Sequence, residues 1–107
     1  MRVLLYGVGR SGLAAGRLLA RQGHDPVWFD RREAGDDLRA ADAAGWPRTR
    51  RPLASGAELC IAAPGVPIDH PDLVALRAAG VETIDEIEWV ARTVDAPMIG
   101  VTGTAGK

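Results

Sequence analysis

Val3-Leu4-Leu5-Tyr6-Gly7-Val8-Gly9-Arg10-Ser11-Gly12, residues 3–12, decides the fold. Its four apolar residues read as a buried strand. The chain beyond it, residues 13–22, carries Leu13, Ala14, Leu18 and Leu19 on one helical face. Gly23 stops that helix, and a second apolar run, Val27-Trp28-Phe29, ends at Asp30. Strand, glycine loop, helix and strand within about thirty residues match the length of a right-handed βαβ crossover. In such a loop Gly7 permits the tight turn, Gly9 lets a ligand approach bare backbone, and Gly12 lets helix and strand pack closely. The helix then aims unpaired N–H groups and its positive dipole end at the loop, which predicts an anion there.

The pattern continues downstream. Residues 36–44 read as an Ala-rich helix anchored by Leu38 and stopped at Gly45, and residues 46–52 as a short edge strand or irregular connection. Residues 58–63 read as a strand, apolar from Leu59 onward as in a strand buried on both faces. The rigid turn Ala63-Pro64-Gly65-Val66-Pro67 follows, then a helix opened by Pro71 and stopped at Gly80. Residues 81–84 form a further strand. Asp85 with Glu88 three residues later predicts an N-cap for a helix to about Val94. Residues 98–101 read as a last strand. The expectation is an α/β fold, a Rossmann-like doubly wound parallel sheet of about five strands with helices on both faces. Ligands of such sheets lie beyond the carboxyl ends of the strands, so the loops at 7–12, 30–32 and 63–67 belong to one edge.

A length of 107 residues bounds the chain to one domain, or one domain and the start of another. The net charge of −1 supplies no global basic field, which argues against nucleic acid. Twelve of the thirteen basic residues are Arg, and Lys107 is the exception. The single cysteine, Cys60, lies in an apolar run and reads as a reduced core residue of a cytoplasmic protein. Residues 1 and 2 run directly into a strand, so no signal peptide is expected. No apolar stretch approaches the roughly 20 residues of a membrane span.

Alone, the glycine loop points most often to NAD(P) or FAD, less often to another nucleotide. Asp30, eighteen residues beyond Gly12, stands where such sites place the acid that grips a ribose hydroxyl. Arg31 and Arg32 would suit a 2′-phosphate. An oxidoreductase domain is therefore the alternative on these residues.

Four stretches in order resemble the Mur ligase family, in its D-glutamate-adding branch. They are the opening 7–14, the stretch 63–71 (an "SPG…HP" pattern), the strand and helix of 80–89, and the tail Val101-Thr102-Gly103-Thr104-Ala105-Gly106-Lys107. At Arg31, Ala63 and Ala105 the chain carries residues other than the family's usual ones. The resemblance implies an N-terminal Rossmann-like domain over residues 1–96. Residues 97–107 would then be the first strand and ATP-binding loop of a central domain. It implies a parent ATP-dependent amide ligase that joins D-glutamate to UDP-MurNAc-L-alanine through an acyl phosphate, with ATP and Mg2+ as cofactors of the intact enzyme. The uridine diphosphate moiety would meet Gly9, Arg10, Ser11, Gly12, Asp30, Arg31, Arg32, Ala63, Pro64 and Gly65. ATP would meet Gly103, Thr104, Gly106 and Lys107. The fragment would be a monomer that binds substrate, carries no catalytic residue and no metal, and does not turn over ATP. Another Mur ligase with a different amino acid is a further option.

Other polar residues have ordinary readings. Glu86 and Glu88 belong to a helix's first turn and capping box. His70 reads as a cap or loop residue with a lesser case for substrate contact, and His24 as a surface turn. Arg48, Arg50 and Arg51 read as a solvated rim. No His, Cys and carboxylate cluster has metal-ligand spacing.

Overall fold

A computed structural model describes residues 1–93. In chain order these form β1 (Arg2–Tyr6), α1 (Arg10–Arg21), β2 (Asp25–Phe29), α2 (Asp36–Ala43), a short 3-10 turn (Pro52–Ala54), β3 (Leu59–Ala62), α3 (Pro71–Ala78), β4 (Glu82–Asp85) and α4 (Glu86–Thr93). All pairings are parallel, in the order β2-β1-β3-β4. Four strands are therefore present among the described residues, against about five expected. The expected strand at 98–101 and the loop at 102–107 lie outside the described residues.

Alternation along the strands divides the interior into two layers. Val3 and Leu5 of β1, Trp28 of β2, Leu59 and Ile61 of β3 and Ile84 of β4 face one way, with Leu13 and Leu19 of α1, Leu38 of α2 and Trp89 of α4. Leu4, Tyr6, Val27, Cys60 and Ala62 face the other way, with Leu73 and Leu76 of α3. The sheet is thus covered on both faces, as the alternating pattern predicts. β3 is buried at all four positions, the reason its sequence is an unbroken apolar run. Cys60 is free and fully buried there, and burial pushes its thiol up to about 12, against a small opposing pull from Arg77.

Helix α1 begins at Arg10, three residues before the apolar period suggests. Its buried face is Gly12, Leu13, Ala15, Gly16 and Leu19, while Ala14 is exposed. The burial of Gly16 has a packing cause. A Cβ on Gly16 would lie 2.5 Å from the Trp46 ring, so the indole occupies the space that a side chain there would fill. Trp46 is also held by its carbonyl, which accepts the Trp28 indole N–H at 3.0 Å.

The connection over residues 46–52 resolves into a single parallel bridge, Trp28 with Arg48, on the outer edge of β2. There Trp28 N–H donates to Pro47 O at 3.0 Å and Trp28 O accepts from Thr49 N–H at 2.8 Å. Pro26 shares the outward orientation of Trp28, so its missing N–H costs β1 no ladder bond.

Candidate functional site at the β1 and β3 carboxyl ends

From β1 the chain winds to β2 on one side, whereas from β3 it winds to β4 on the other. The sheet therefore reverses direction between β1 and β3, the place where open α/β sheets leave a crevice. A cleft of about 460 Å³ opens there, lined by residues from the ends of β1, β2 and β3 and by His70.

Of the expected site residues, Gly9, Asp30, Arg31, Arg32, Ala63 and Gly65 line this cleft. Arg10 and Ser11 follow Gly9 directly as the exposed first turn of α1. Gly9 is the N-cap, no side chain caps the turn, and no acidic residue lies within it. The first N–H groups of α1 are thus left for an outside acceptor. Nothing lies within 4 Å of a Cβ built on Gly9, so the approach is open. Gly12 is a packing glycine, since a Cβ there would lie 2.9 Å from Gly7 O. Pro64 faces a neighbouring hollow of about 390 Å³ near β4. Gly103, Thr104, Gly106 and Lys107 lie outside the described residues.

Asp30 is the hub. Its Oδ2 accepts from Val8 N–H and Arg32 Nη2, and its Oδ1 accepts from Arg32 N–H and Arg32 Nε, all at 2.9 Å. Arg32 Nη2 also donates to Val8 O at 2.7 Å. One carboxylate thus ties the glycine loop to the β2 end through four accepted bonds, which fills its acceptor capacity. Burial alone would push the Asp30 carboxyl up, but the Arg32 guanidinium and the two backbone N–H groups outweigh it and hold it at about 2. The Asp30 side chain is 7% exposed, whereas Arg32 is 49% exposed and presents its outer edge to solvent.

The rim arginines divide in role. Arg48 lies over the Trp28 ring, 4.6 Å from its centroid, and donates from Nη2 to Asp30 O at 3.0 Å and Arg32 O at 2.6 Å. It clamps the 30–32 loop from behind, which a charge count along the sequence does not reveal. Arg50 pairs with Glu33 at 3.0 Å on the exposed surface. On the opposite wall, Tyr6 donates its hydroxyl to Asp72, and burial together with that bond pushes the phenol up. Tyr6 and Phe29 are the last residues of their strands. Their place on this edge follows from the parallel topology, although the motif itself does not name them.

Residues 1–85 match the Mur ligase MurD-like N-terminal domain. The chain belongs to this family. Among its curated relatives, the UDP-N-acetylmuramoylalanine–D-glutamate ligase of Deinococcus radiodurans is 43% identical over 107 residues, covering 99% of this chain and 23% of the relative. The protein of the same name from Thermus thermophilus is 41% identical over 104 residues, covering 97% of this chain and 25% of the relative. The chain therefore spans about a quarter of the length of these relatives. The crystal structure of UDP-N-acetylmuramate-alanine ligase MurC from Thermotoga maritima shares the fold, with a TM-score of 0.71 at 21% identity. That match covers 87% of this chain and 22% of that one. An imine reductase from Streptomyces aurantiacus shares it more distantly, with a TM-score of 0.57 at 20% identity over 79% of this chain and 31% of that one. Among the described residues no helix is long and apolar enough to cross a membrane.

The Asp30 clasp of this MurD-like domain gives a signed pH dependence. Its carboxyl titrates at about 2 when folded, below its ordinary value of 3.8. Its stabilisation is therefore complete above the ordinary value and is lost as pH falls through the folded one. Denaturant titrations should show the unaltered chain more stable than Asp30→Asn by about 1–2 kcal/mol at pH 6, with the gap closing between pH 4 and pH 2. A gap independent of pH would exclude the charged clasp as its source.

Proposed function

We propose that this chain is the UDP-MurNAc-L-alanine-binding domain of an ATP-dependent ligase that adds D-glutamate in cytoplasmic peptidoglycan precursor synthesis. The observation that carries the reading is the uncapped first turn of α1 opening on the β1/β3 cleft of a MurD-like domain. In this reading the diphosphate lies against the backbone N–H groups of Arg10 and Ser11, with Gly9 giving it access. Asp30 fixes the loop and aims Arg32, whose exposed edge, with Arg31, borders the uridine. Ala63, Pro64 and Gly65 form the neighbouring rim. ATP, Mg2+ and D-glutamate would be held by parts of the parent enzyme beyond this domain, ATP through Gly103, Thr104, Gly106 and Lys107. The domain itself contributes binding and orientation rather than bond making.

The internal engagement of Asp30 weighs against the nicotinamide alternative. A dinucleotide site of this fold needs that carboxylate to accept from a ribose hydroxyl. Here all four of its accepted bonds come from the chain itself. Calorimetric titration tests the choice. UDP-MurNAc-L-alanine and UDP should bind saturably and NADH should not. Arg32→Ala should weaken the uridine ligands about tenfold, the scale of one hydrogen bond from a charged donor. NADH binding without uridine binding would overturn the reading.

A further inference from the structure

Arg48 leaves the outer edge of β2 from a fixed base. The backbone on either side of it is tied to Trp28, whose N–H donates to Pro47 O at 3.0 Å and whose carbonyl accepts the Thr49 N–H at 2.8 Å. Its guanidinium lies over the Trp28 ring, and the single nitrogen Nη2 donates to Asp30 O at 3.0 Å and to Arg32 O at 2.6 Å. Those carbonyls are the first and last of the 30–32 loop, which belongs to no helix or strand. Arg48 is not among the residues that line the cleft.

The loop is thus held from two sides. Toward the cleft, the Asp30 carboxylate accepts from Arg32 N–H, Nε and Nη2, contacts that reach only two positions along the chain. They fix Arg32 relative to Asp30. Val8 ties the pair to the glycine loop, and Arg48 ties its main chain to the sheet edge. The arrangement carries a cost, because Arg48 Nε is buried and meets no acceptor among the described residues. An apolar side chain of similar length would cover Trp28 without desolvating a charge. Packing alone therefore does not account for an arginine here, whereas two loop carbonyls held by one donor do.

We infer that Arg48 is a positioning residue for ligand recognition in this cleft: without touching the ligand, it fixes the 30–32 main chain and so presets the outer edge of Arg32 toward a uridine nucleotide. The assignment rests on the uridine-nucleotide reading above. A preset loop loses less conformational freedom on binding, so the gain appears as affinity. The effect passes through Arg32, which distinguishes it from the general attraction of one more cation for an anion.

A double-mutant cycle on the full 107-residue chain tests this route. UDP is titrated into the unaltered chain, Arg48→Met, Arg32→Ala and the double variant, and each melting temperature is recorded. Arg48→Met should raise the UDP dissociation constant about three- to tenfold, the scale of one hydrogen bond. In the Arg32→Ala background the same change should cost less than about twofold. The melting temperature should hold within a few degrees, since methionine still covers the ring. Without ligand, the Arg32 Nε–H should give a slowly exchanging NMR signal in the unaltered chain and lose it in Arg48→Met. Should Arg48→Met not fold, Arg48→Lys keeps the stem and the charge but not the planar fork, and carries the same expectations at smaller size. Unchanged UDP affinity, equal losses with and without Arg32, or a retained Arg32 signal would each overturn the assignment. If the unaltered chain fails to bind UDP, the uridine reading falls and the assignment with it. The Arg32 signal, read without ligand, separates that result from a loop that Arg48 never ordered.

Discussion

Replacing Trp28 with alanine is expected to lower the unfolding free energy by about 3–5 kcal/mol, the range for truncating a buried aromatic residue. The indole is 2% exposed, and four separate features of the fold meet on it. Its ring fills the sheet face shared with α1 and α2, and its N–H donates to Trp46 O at 3.0 Å. The Arg48 guanidinium covers it at 4.6 Å, and its backbone carries the edge bridge to residues 47–49. Truncation leaves a cavity that Trp46 and Gly16 cannot close, since the Trp46 ring is already seated where a Gly16 side chain would be. A domain of this size has about 5–15 kcal/mol to lose, so the variant should be partly unfolded at room temperature or melt far earlier. Guanidinium denaturation followed by circular dichroism measures it. A loss under about 1 kcal/mol would mean that this packing is not what stabilises the layer. Because Arg48 rests on this ring while holding the 30–32 loop, the surviving folded fraction should also bind uridine ligands more weakly.

The second large effect is expected at Gly7. Its φ is +94°, a conformation that side chains rarely adopt, and a Cβ there would lie 2.9 Å from the Ala63 Cβ. Neither partner can swing aside, because both atoms are fixed to backbone at the ends of adjacent strands. Gly7→Val should therefore cost about 2–4 kcal/mol through backbone strain and overpacking together. It should also abolish measurable UDP binding by displacing the loop that leads into α1. Gly65 supplies the contrast within the same cleft. A Cβ there meets nothing within 4 Å, so Gly65→Ala should leave stability within about 0.5 kcal/mol of the unaltered chain. Equal losses at the two positions would refute the geometric argument.

These two sites also mark what the sequence reveals and what it hides. Gly7 is legible because a strand running into a glycine loop dictates the turn locally. β3 is legible because a strand buried on both faces has no polar residue to interrupt it. The cap of α4 is legible for the same local reason as Gly7, and Asp85 Oδ1 does accept the Glu88 N–H at 2.7 Å. The Trp28, Trp46, Gly16 and Arg48 stack is not legible. Its members come from a strand, a helix and a connection, and no periodicity links them. A glycine that is buried because a distant indole fills its place resembles a weak helix position, which is why the apolar period puts Ala14 on the inner face in place of Gly16. The candidate site divides along the same line. Topology alone brings the 7–9, 30–32 and 63–65 loops to one edge, and that much follows from parallel strands. The commitment of Asp30 to Val8, and of Tyr6 to Asp72, depends on contacts spanning 22 and 66 positions of sequence, respectively, where spacing rules are silent.

The proposed function places an anionic nucleotide on the uncapped first turn of α1, in the crevice where the sheet reverses direction. The most direct measurement is amide mapping by heteronuclear NMR of the full chain during a titration with UDP. Saturable shifts are expected at Gly9, Arg10 and Ser11, accompanied by Arg32 and Gly65, with the amides of α2 and α4 unmoved. Saturable shifts that leave residues 9–11 unmoved and gather instead at the hollow between β3 and β4 would contradict it.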